Sequence, residues 1–308
     1  MGEIADALKR AKTRLIKPHG DDTRDQTPRA TDGIARLLRD SSEPQHASPT
    51  EPQPQPEPTT SEPIAAPDQR VFSISDKRTR DWASRVVAVA PESQFAVRFR
   101  HLAIRVRSDL AKRRRSSLLV TSATSGDGKT TVSINLALAL SSIAPESSVA
   151  LVDLDLRRAR VAAALECPVE IGFEDVLAGR AQLADSCIKT NLENLDLFLV
   201  GRPDRAPHET LGAASATAAF EDLHSRYDYL ICDGPPVLPV PDVPLIESKF
   251  GGCLLVVRSR RTRHAALADM MELLPRKSII GVFLNDAMAR RDRSAYGYYY
   301  DGSSTNDD

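Results

Sequence analysis

The residues best suited to chemistry lie in one short segment, Ala123–Thr130, which reads Ala-Thr-Ser-Gly-Asp-Gly-Lys-Thr. Gly126 and Gly128 allow backbone N–H groups to close around phosphate oxygens, because no Cβ stands in the way. Lys129 can reach the β- and γ-phosphates of a nucleoside triphosphate, and the Thr130 hydroxyl can bind Mg²⁺. The spacing is typical of a phosphate-binding loop in which alanine replaces the first glycine.

The segments on either side of this loop are those that such a loop needs. Residues 117–121 form an apolar run of strand length, and residues 131–140 carry apolar side chains at helical spacing. A helix that begins at the loop adds the partial positive charge of its N-terminus to the site. The alternative is an ordinary glycine turn before a core helix. We expect ATP with Mg²⁺ to be bound by Ser125, Gly126, Asp127, Gly128, Lys129, Thr130 and Thr131.

Acidic residues follow two later apolar runs, where strands are expected to end. Asp153, Asp155 and Arg157 follow the first run, and Asp233 ends the second. Carboxylates beside nucleotide phosphates can hold Mg²⁺ or accept a proton from an attacking hydroxyl, and an arginine can neutralise the transferring phosphoryl group. Aspartates at strand ends also serve simply as turn and cap residues. Asn285, at the end of the last expected strand, could hydrogen-bond adenine or cap a turn.

Strand-like and helix-like segments alternate after the loop. Further strands are expected at 149–153, 195–200, 227–233, 252–257 and 279–285. Helices are expected at 93–112, 130–143, 172–178, 209–225 and 263–274. Apolar strands separated by helices indicate an α/β fold of the P-loop NTPase type, a mostly parallel sheet with helices on both faces. The loop and the acidic motifs should then meet at the carboxyl edge of the sheet.

The two ends of the chain differ in composition from this central part. Residues 1–70 begin with a short basic amphipathic segment, which either docks on a partner or an anionic membrane or stays a solvated tail. A stretch rich in Pro, Glu, Gln, Ser and Thr follows, which cannot bury a core and should be a disordered linker. We therefore divide the chain into an N-terminal region of residues 1–70, an ATPase domain of residues 71–290 and a flexible tail of residues 291–308.

Tyrosines concentrate in that tail. Four of the six in the chain are Tyr296, Tyr298, Tyr299 and Tyr300. A tail of this composition buries no core, so these side chains could form a stacking surface, a binding motif or a substrate that enters an active site. Phosphorylation there would add several negative charges to one short segment.

The overall composition excludes other classes of protein. The net charge of −1 gives no basic surplus for nucleic acid, and no run approaches the roughly 20 apolar residues of a membrane span. The first residues lack the apolar core of a signal peptide. The four cysteines are scattered without paired spacing, which favours buried thiols in a reducing compartment. We expect a cytoplasmic protein.

Together these motifs resemble those of the bacterial tyrosine kinases of capsule and exopolysaccharide synthesis. That family carries a Walker A loop, a hydrophobic run followed by Asp-x-Asp-x-Arg, a Walker B motif ending Asp-x-x-Pro, and a C-terminal tyrosine cluster. All four occur here in that order, and the segment 172–179 also matches. The resemblance covers about residues 93–308 and implies an ATP-dependent tyrosine autokinase.

The resemblance also implies roles for individual residues. Lys129 and Thr130 would bind Mg·ATP, Asp155 and Asp233 would help hold the metal, and Asp153 would accept the tyrosine proton. Tyrosines of one subunit would enter the site of a neighbour, and their phosphorylation would loosen a ring-shaped oligomer.

Partners follow from the same resemblance. They are a second copy of the chain, a separate membrane-bound chain-length regulator that recruits the kinase to the inner face of the membrane, and a tyrosine phosphatase. The family's oligomerisation motif, Glu-x-x-Arg-x-x-Arg, is not intact, because His101, Ile104 and Arg107 stand at its three positions. Ring assembly is therefore expected to be weaker or to use other contacts.

Two other functions remain open on sequence alone. The first is an ATPase switch like MinD and ParA, although Thr124 stands where those proteins usually carry an additional lysine. The second is a scaffold for polysaccharide export in which ATP is only structural.

Overall fold

The computed structural model describes residues 71–74 and 82–287. The seven strands are β1 (Ser117–Ser122), β2 (Val149–Asp153), β3 (Cys187–Lys189), β4 (Leu195–Phe198), β5 (Tyr229–Asp233), β6 (Cys253–Arg258) and β7 (Ile279–Asn285). The α-helices of the described residues are α1 (Val86–Val89), α2 (Gln94–Lys112), α3 (Lys129–Ile143), α4 (Arg160–Leu165), α5 (Phe173–Leu177), α6 (Pro207–Gly212), α7 (Ala214–Arg226), α8 (Asp242–Ile246) and α9 (His264–Leu273). The expected N-terminal region and tyrosine tail lie outside the described residues.

The strands form one sheet in the order β3-β4-β2-β5-β1-β6-β7. Every neighbouring pair is parallel except β3 and β4, which are antiparallel. Because β5 lies between β1 and β2, its last residue, Asp233, is in register with both Val120 and Asp153. The phosphate loop after β1 and the two acidic strand ends therefore share one edge of the sheet.

Helices cover both faces of the sheet, which confirms the expected α/β class. Helices α1 to α4 pack on one face and α5 to α9 on the other, each with its own apolar core. In the core under helices α1 to α4, α3 is buried along most of its length between the sheet and α2. In the second core, Phe173 packs edge-to-face with both Phe198 and Phe220. Burying both faces explains why the strands read as continuous apolar runs.

The structure departs from the expected elements in several places, which include the unexpected short helices α1 and α8. The single helix expected over 209–225 is two helices, because Ala213 between them has an extended backbone. Helix α4 was not expected; it is only six residues long and begins after Ala159, whose φ is +46°. Strand β3 was not expected either, because three residues on a sheet edge are too few to show a period.

No helix among the described residues is long and apolar enough to cross a membrane. All four cysteines are free thiols, and the two expected in strands, Cys232 and Cys253, are buried in β5 and β6. Burial raises the pKa of the Cys253 thiol to about 12, so this side chain stays protonated.

Candidate active site

The phosphate loop joins β1 directly to α3. Gly126 and Gly128 have φ of +86° and +94°, in the left-handed region where side chains with a Cβ are strained. Gly128 is also the N-cap residue of α3. A Cβ on Gly128 would overlap the side-chain amide nitrogen of Asn285. Both the backbone conformation and the space around it therefore require glycine at position 128.

Asp127 fastens the loop from inside. Its buried carboxylate accepts hydrogen bonds from the Thr124 N–H and hydroxyl, each 3.1 Å long, through Oδ2. Its Oδ1 accepts from the Thr262 hydroxyl at 2.8 Å, which ties the loop to the connection between β6 and α9. The side chain of Asp127 is thus engaged within the protein, and the backbone N–H of this residue is left for a ligand.

Asn285 braces the same loop from β7. Its Nδ2 donates to the Asp127 carbonyl at 3.0 Å, and its Oδ1 accepts from the Asp286 N–H at 2.9 Å. The side chain therefore caps the turn after β7, which was one of the two alternatives from the sequence. Its expected contact with adenine stays a prediction.

We expect Asp127→Ala to lower the free energy of unfolding by about 1–3 kcal/mol, because the Thr124 N–H and the Thr262 hydroxyl lose their acceptor. Urea unfolding of the nucleotide-free chain measures this. Asp269→Ala is the matched control, since Asp269 is exposed on α9 and makes no ion pair among the described residues. Equal stability of the two variants would contradict the bracing role of Asp127.

Lys129 and Asp155 form a buried ion pair. Lys129 Nζ lies 3.0 Å from Asp155 Oδ2, and the two side chains are only 9% and 2% exposed. The structure thus brings the first residue of α3 against the carboxylate that follows β2. Burying two charges carries a desolvation penalty, which their attraction offsets only if the geometry of the pair is good. Removing one partner leaves the other charge buried without compensation.

The Asp233 carboxylate accepts hydrogen bonds from hydroxyl groups in the first two turns of α3. Thr130 Oγ1 donates to Asp233 Oδ2 at 2.7 Å, and Ser133 Oγ lies 3.0 Å from Asp233 Oδ1. Thr130 and Asp233, both expected to take part in metal binding, are thus in direct contact. Ser133 was not singled out from the sequence, although it lies one turn after Lys129 on the same side of the helix.

Asp153 is fully buried at the end of β2. Its Oδ1 accepts from the Asp155 N–H at 3.0 Å and its Oδ2 from the Val161 N–H at 3.1 Å. The carboxylate therefore holds the turn between β2 and α4, with both oxygens engaged by backbone donors.

The carboxyls of Asp153 and Asp233 both have pKa values above the ordinary value for aspartate. Burial raises the pKa of the Asp153 carboxyl well above its ordinary value, and the charges of Asp233 and Asp155 act in the same direction. Burial also raises the pKa of Asp233, although the Lys129 charge opposes the shift. A cation bound beside these groups would favour their ionised forms.

Arg157 is directed to a different carboxylate. Its guanidinium forms a bidentate ion pair with Asp242 at the start of α8, with Nε–Oδ2 and Nη2–Oδ1 distances of 3.0 and 3.2 Å. Asp242 is buried, whereas Arg157 is one-third exposed. The arginine is therefore held at the border of the site, where its outer edge stays open to solvent.

Comparison of the chain with known proteins shows which family it belongs to. A protein-family profile described as an AAA domain matches residues 118–246. The tyrosine-protein kinase CpsD of Streptococcus pneumoniae serotype 4 is 30% identical over 169 residues, which are 54% of this chain and 74% of that protein. The chain belongs to the bacterial tyrosine kinase family. The family predicted from the motifs is thereby confirmed, and it is favoured over a MinD- or ParA-like switch.

Two further relatives extend the similarity. The tyrosine-protein kinase YwqD of Bacillus subtilis (strain 168) is 26% identical over 216 residues, 70% of this chain and 90% of that protein. The kinase domain of Escherichia coli tyrosine kinase ETK superposes with a TM-score of 0.62 at 26% identity, covering 70% of this chain and 84% of that chain. The similarity between this chain and other bacterial tyrosine kinases therefore includes the three-dimensional fold.

The site of this bacterial tyrosine kinase suits a metal ion that is bound together with phosphate. No group of three or more His, Cys, Asp or Glu side chains in the described part of the chain could hold a metal by itself. Mg²⁺ commonly uses one or two carboxylates and completes its shell with phosphate oxygens and water. The contact between Thr130 and Asp233, beside carboxyls of raised pKa, fits that requirement.

Three residues beside the loop of this kinase were not predicted, and all come from other strands or connections. The Thr262 hydroxyl donates a hydrogen bond to the Asp127 carboxylate, and the Arg258 guanidinium donates one to the Gly126 carbonyl at 3.1 Å. Arg261 places its guanidinium over Gly126. The only sequence signal was the basic run Arg258–His264, and its position next to the loop depends on β6 pairing with β1.

Proposed function

We propose that this chain is an ATP- and Mg²⁺-dependent tyrosine autokinase that phosphorylates its own C-terminal tyrosines in trans. It would thereby regulate the polymerisation or export of a capsular polysaccharide or exopolysaccharide. The observation that carries the proposal is the convergence of the phosphate loop with the acidic ends of β2 and β5, where Lys129 meets Asp155 and Thr130 meets Asp233.

The proposed roles follow from these contacts. On nucleotide binding, Lys129 exchanges part of its interaction with Asp155 for the β- and γ-phosphates. Thr130, Asp155 and Asp233 would hold Mg²⁺, which would supply positive charge beside the phosphates. Arg157 adds a second positive charge at the open side of the site.

Asp153 is our candidate for the group that accepts the tyrosine proton. A carboxylate of raised pKa is a stronger base than an ordinary aspartate. Because Asp153 is buried and holds the Val161 N–H, a tyrosine hydroxyl can reach it only if the turn between β2 and α4 moves.

The four proposed acceptors, Tyr296, Tyr298, Tyr299 and Tyr300, lie outside the described residues. The described chain ends at Ala287, two residues after Asn285, which touches the phosphate loop. The nine residues from Ala287 to Tyr296 span at most about 30 Å when fully extended, which sets the upper limit on the reach of the first proposed acceptor.

The proposed partners are a second copy of the chain, a membrane-bound chain-length regulator that recruits the kinase to the inner membrane face, and a tyrosine phosphatase. On α2, which carries the altered oligomerisation motif, His101 and Ile104 are exposed. Arg107 lies 3.8 Å from Glu146 of the same chain, in an exposed pair. An apolar residue in place of an arginine supports contacts different from those implied by the ionic motif.

Phosphate transfer to the tail is tested by intact mass after incubation with Mg·ATP and the cytoplasmic tail of a candidate membrane partner. We expect wild type to gain phosphate on peptides containing Tyr296–Tyr300, and a variant with all four tail tyrosines changed to Phe to gain none. Tyr229→Phe, within β5, is the matched control and should gain as much as wild type. Unchanged incorporation in the four-tyrosine variant would overturn the assignment of the acceptors.

Transfer in trans is tested by mixing two variants, neither of which is expected to phosphorylate itself. Lys129→Met keeps the tail tyrosines but lacks the phosphate-loop lysine, and the four-tyrosine variant keeps the site but lacks acceptors. Phosphate on the Lys129→Met chain in the mixture is expected if the reaction occurs between subunits. ATP hydrolysis without any phosphate on protein would favour a nucleotide switch instead.

A further inference from the structure

The connection between β6 and α9 carries three arginines in five residues and lies beside the phosphate loop. Arg260, Arg261 and Arg263 are all exposed. The guanidinium of Arg261 lies directly over Gly126, the first of the two glycines of the loop: its Nη2 is 3.1 Å from the position that a Cβ on Gly126 would occupy. Gly126 is itself exposed, so this arginine stands at the open surface of the loop.

Arg261 has no counter-charge among the residues that the structure describes. Neighbouring Arg258 is paired with Asp286, with Nε and Oδ2 separated by 3.2 Å. Within residues 82–287, no carboxylate lies within ion-pair distance of Arg261, and its side chain makes no hydrogen bond there. A positive charge placed over a phosphate loop without a protein partner is available to a bound anion.

The backbone around Arg261 is fixed on both sides. Thr262 Oγ1 donates to Asp127 Oδ1 and accepts from the Arg258 N–H, each at 2.8 Å. The Ser259 N–H donates to the Asn285 carbonyl at 2.9 Å. Arg260 has a φ of +60°, which turns the chain tightly between these two anchors. The position of Arg261 over the loop is therefore set by the fold of the connection.

The site contains more carboxyl groups than positively charged side chains, so a bound triphosphate would need a further cation. Lys129, the first positive charge of the loop, is shared with Asp155, and the carboxyls of Asp153 and Asp233 are buried close by. A nucleoside triphosphate brings several further negative charges to this acidic pocket. A guanidinium on the side of the loop away from β2 would compensate the phosphate charges on that side, which Lys129 does not reach.

We propose that Arg261 binds the phosphate chain of the nucleotide across Gly126 and sets the affinity for ATP and ADP. Arg258 and Thr262 position the connection that carries it. This inference rests on the proposed function, because it names a further ligand contact of the same site. It assigns the β6–α9 connection to nucleotide binding, a role that the sequence motifs gave only to the loop and Asn285.

The test compares Arg261→Gln with Arg263→Gln in the full-length chain. Arg263 is exposed in the same connection and has no ion pair in the described part of the chain, so it is a matched loss of charge. Affinities for Mg·ATP, Mg·ADP and magnesium tripolyphosphate, which lacks base and ribose, are measured by competition with a fluorescent ADP. Arg261→Gln should weaken all three about tenfold, whereas Arg263→Gln should stay within twofold of wild type. Arg261→Lys should recover part of the loss.

Each other outcome overturns the inference. Unchanged affinities in Arg261→Gln would show that the guanidinium does not contact the nucleotide. Weaker ATP with unchanged tripolyphosphate would place the guanidinium on the base or ribose, and failure of tripolyphosphate to compete in wild type would exclude a separate phosphate contact. If wild type binds no Mg·ATP at all, the proposed function fails as well, so the two failures are distinguishable.

Discussion

Lys129→Met is expected to abolish phosphate incorporation and to destabilise the protein at the same time. Activity is lost because the loop no longer presents a positive charge to the β- and γ-phosphates. Stability falls because Asp155, only 2% exposed, loses the cation that compensates for its burial. Breaking a buried ion pair in this way costs about 3–5 kcal/mol. Intact mass after incubation with Mg·ATP measures the first effect, and urea unfolding without nucleotide measures the second.

The double variant Lys129→Met, Asp155→Asn separates the two effects. Removing the unpaired carboxylate should restore most of the stability, because a neutral amide tolerates burial better than a charge. Activity should stay absent, since both the lysine and a proposed metal-binding carboxylate are missing. Arg226→Met is the control, because it removes an arginine from the exposed pair with Asp222 and should change stability little. A single Lys129→Met variant as stable as wild type would contradict the buried pair.

Gly128→Ala is expected to weaken Mg·ADP binding on the order of a hundredfold. Two penalties contribute. A left-handed backbone costs a residue with a Cβ about 1–2 kcal/mol, and the added Cβ overlaps the Asn285 amide. Since Asn285 also holds the Asp127 carbonyl, relieving the overlap moves the backbone that should surround the phosphates. Competition with a fluorescent ADP measures the loss.

Two further variants show which penalty dominates. In Gly128→Ala, Asn285→Ala the overlap is removed and the backbone strain remains, so binding should recover only in part. Gly212→Ala, at the end of α6, meets no atom within 4 Å and should bind nucleotide like wild type. Wild-type affinity in Gly128→Ala would mean that the loop does not close around phosphate in this conformation.

Local patterns predicted the features that depend on contiguous residues. The phosphate loop is one of them, because its chemistry uses successive backbone N–H groups and two glycines that need a positive φ. The alternation of apolar strands and helices is another, and β2 and β7 begin and end at the residues predicted. Patterns failed where elements were short, as in β3, or where one helix follows another after a single extended residue, Ala213.

The sequence by itself determined the fold class, the family and the residue types of the site. Only the tertiary structure decided which of those residues meet. That Lys129 pairs with Asp155, and that Thr130 contacts Asp233, follows from β5 lying between β1 and β2. Arg261 reaches Gly126 because β6 lies on the other side of β1. Strand order is set by packing and hydrogen bonding between segments far apart in the chain, and no local periodicity records it.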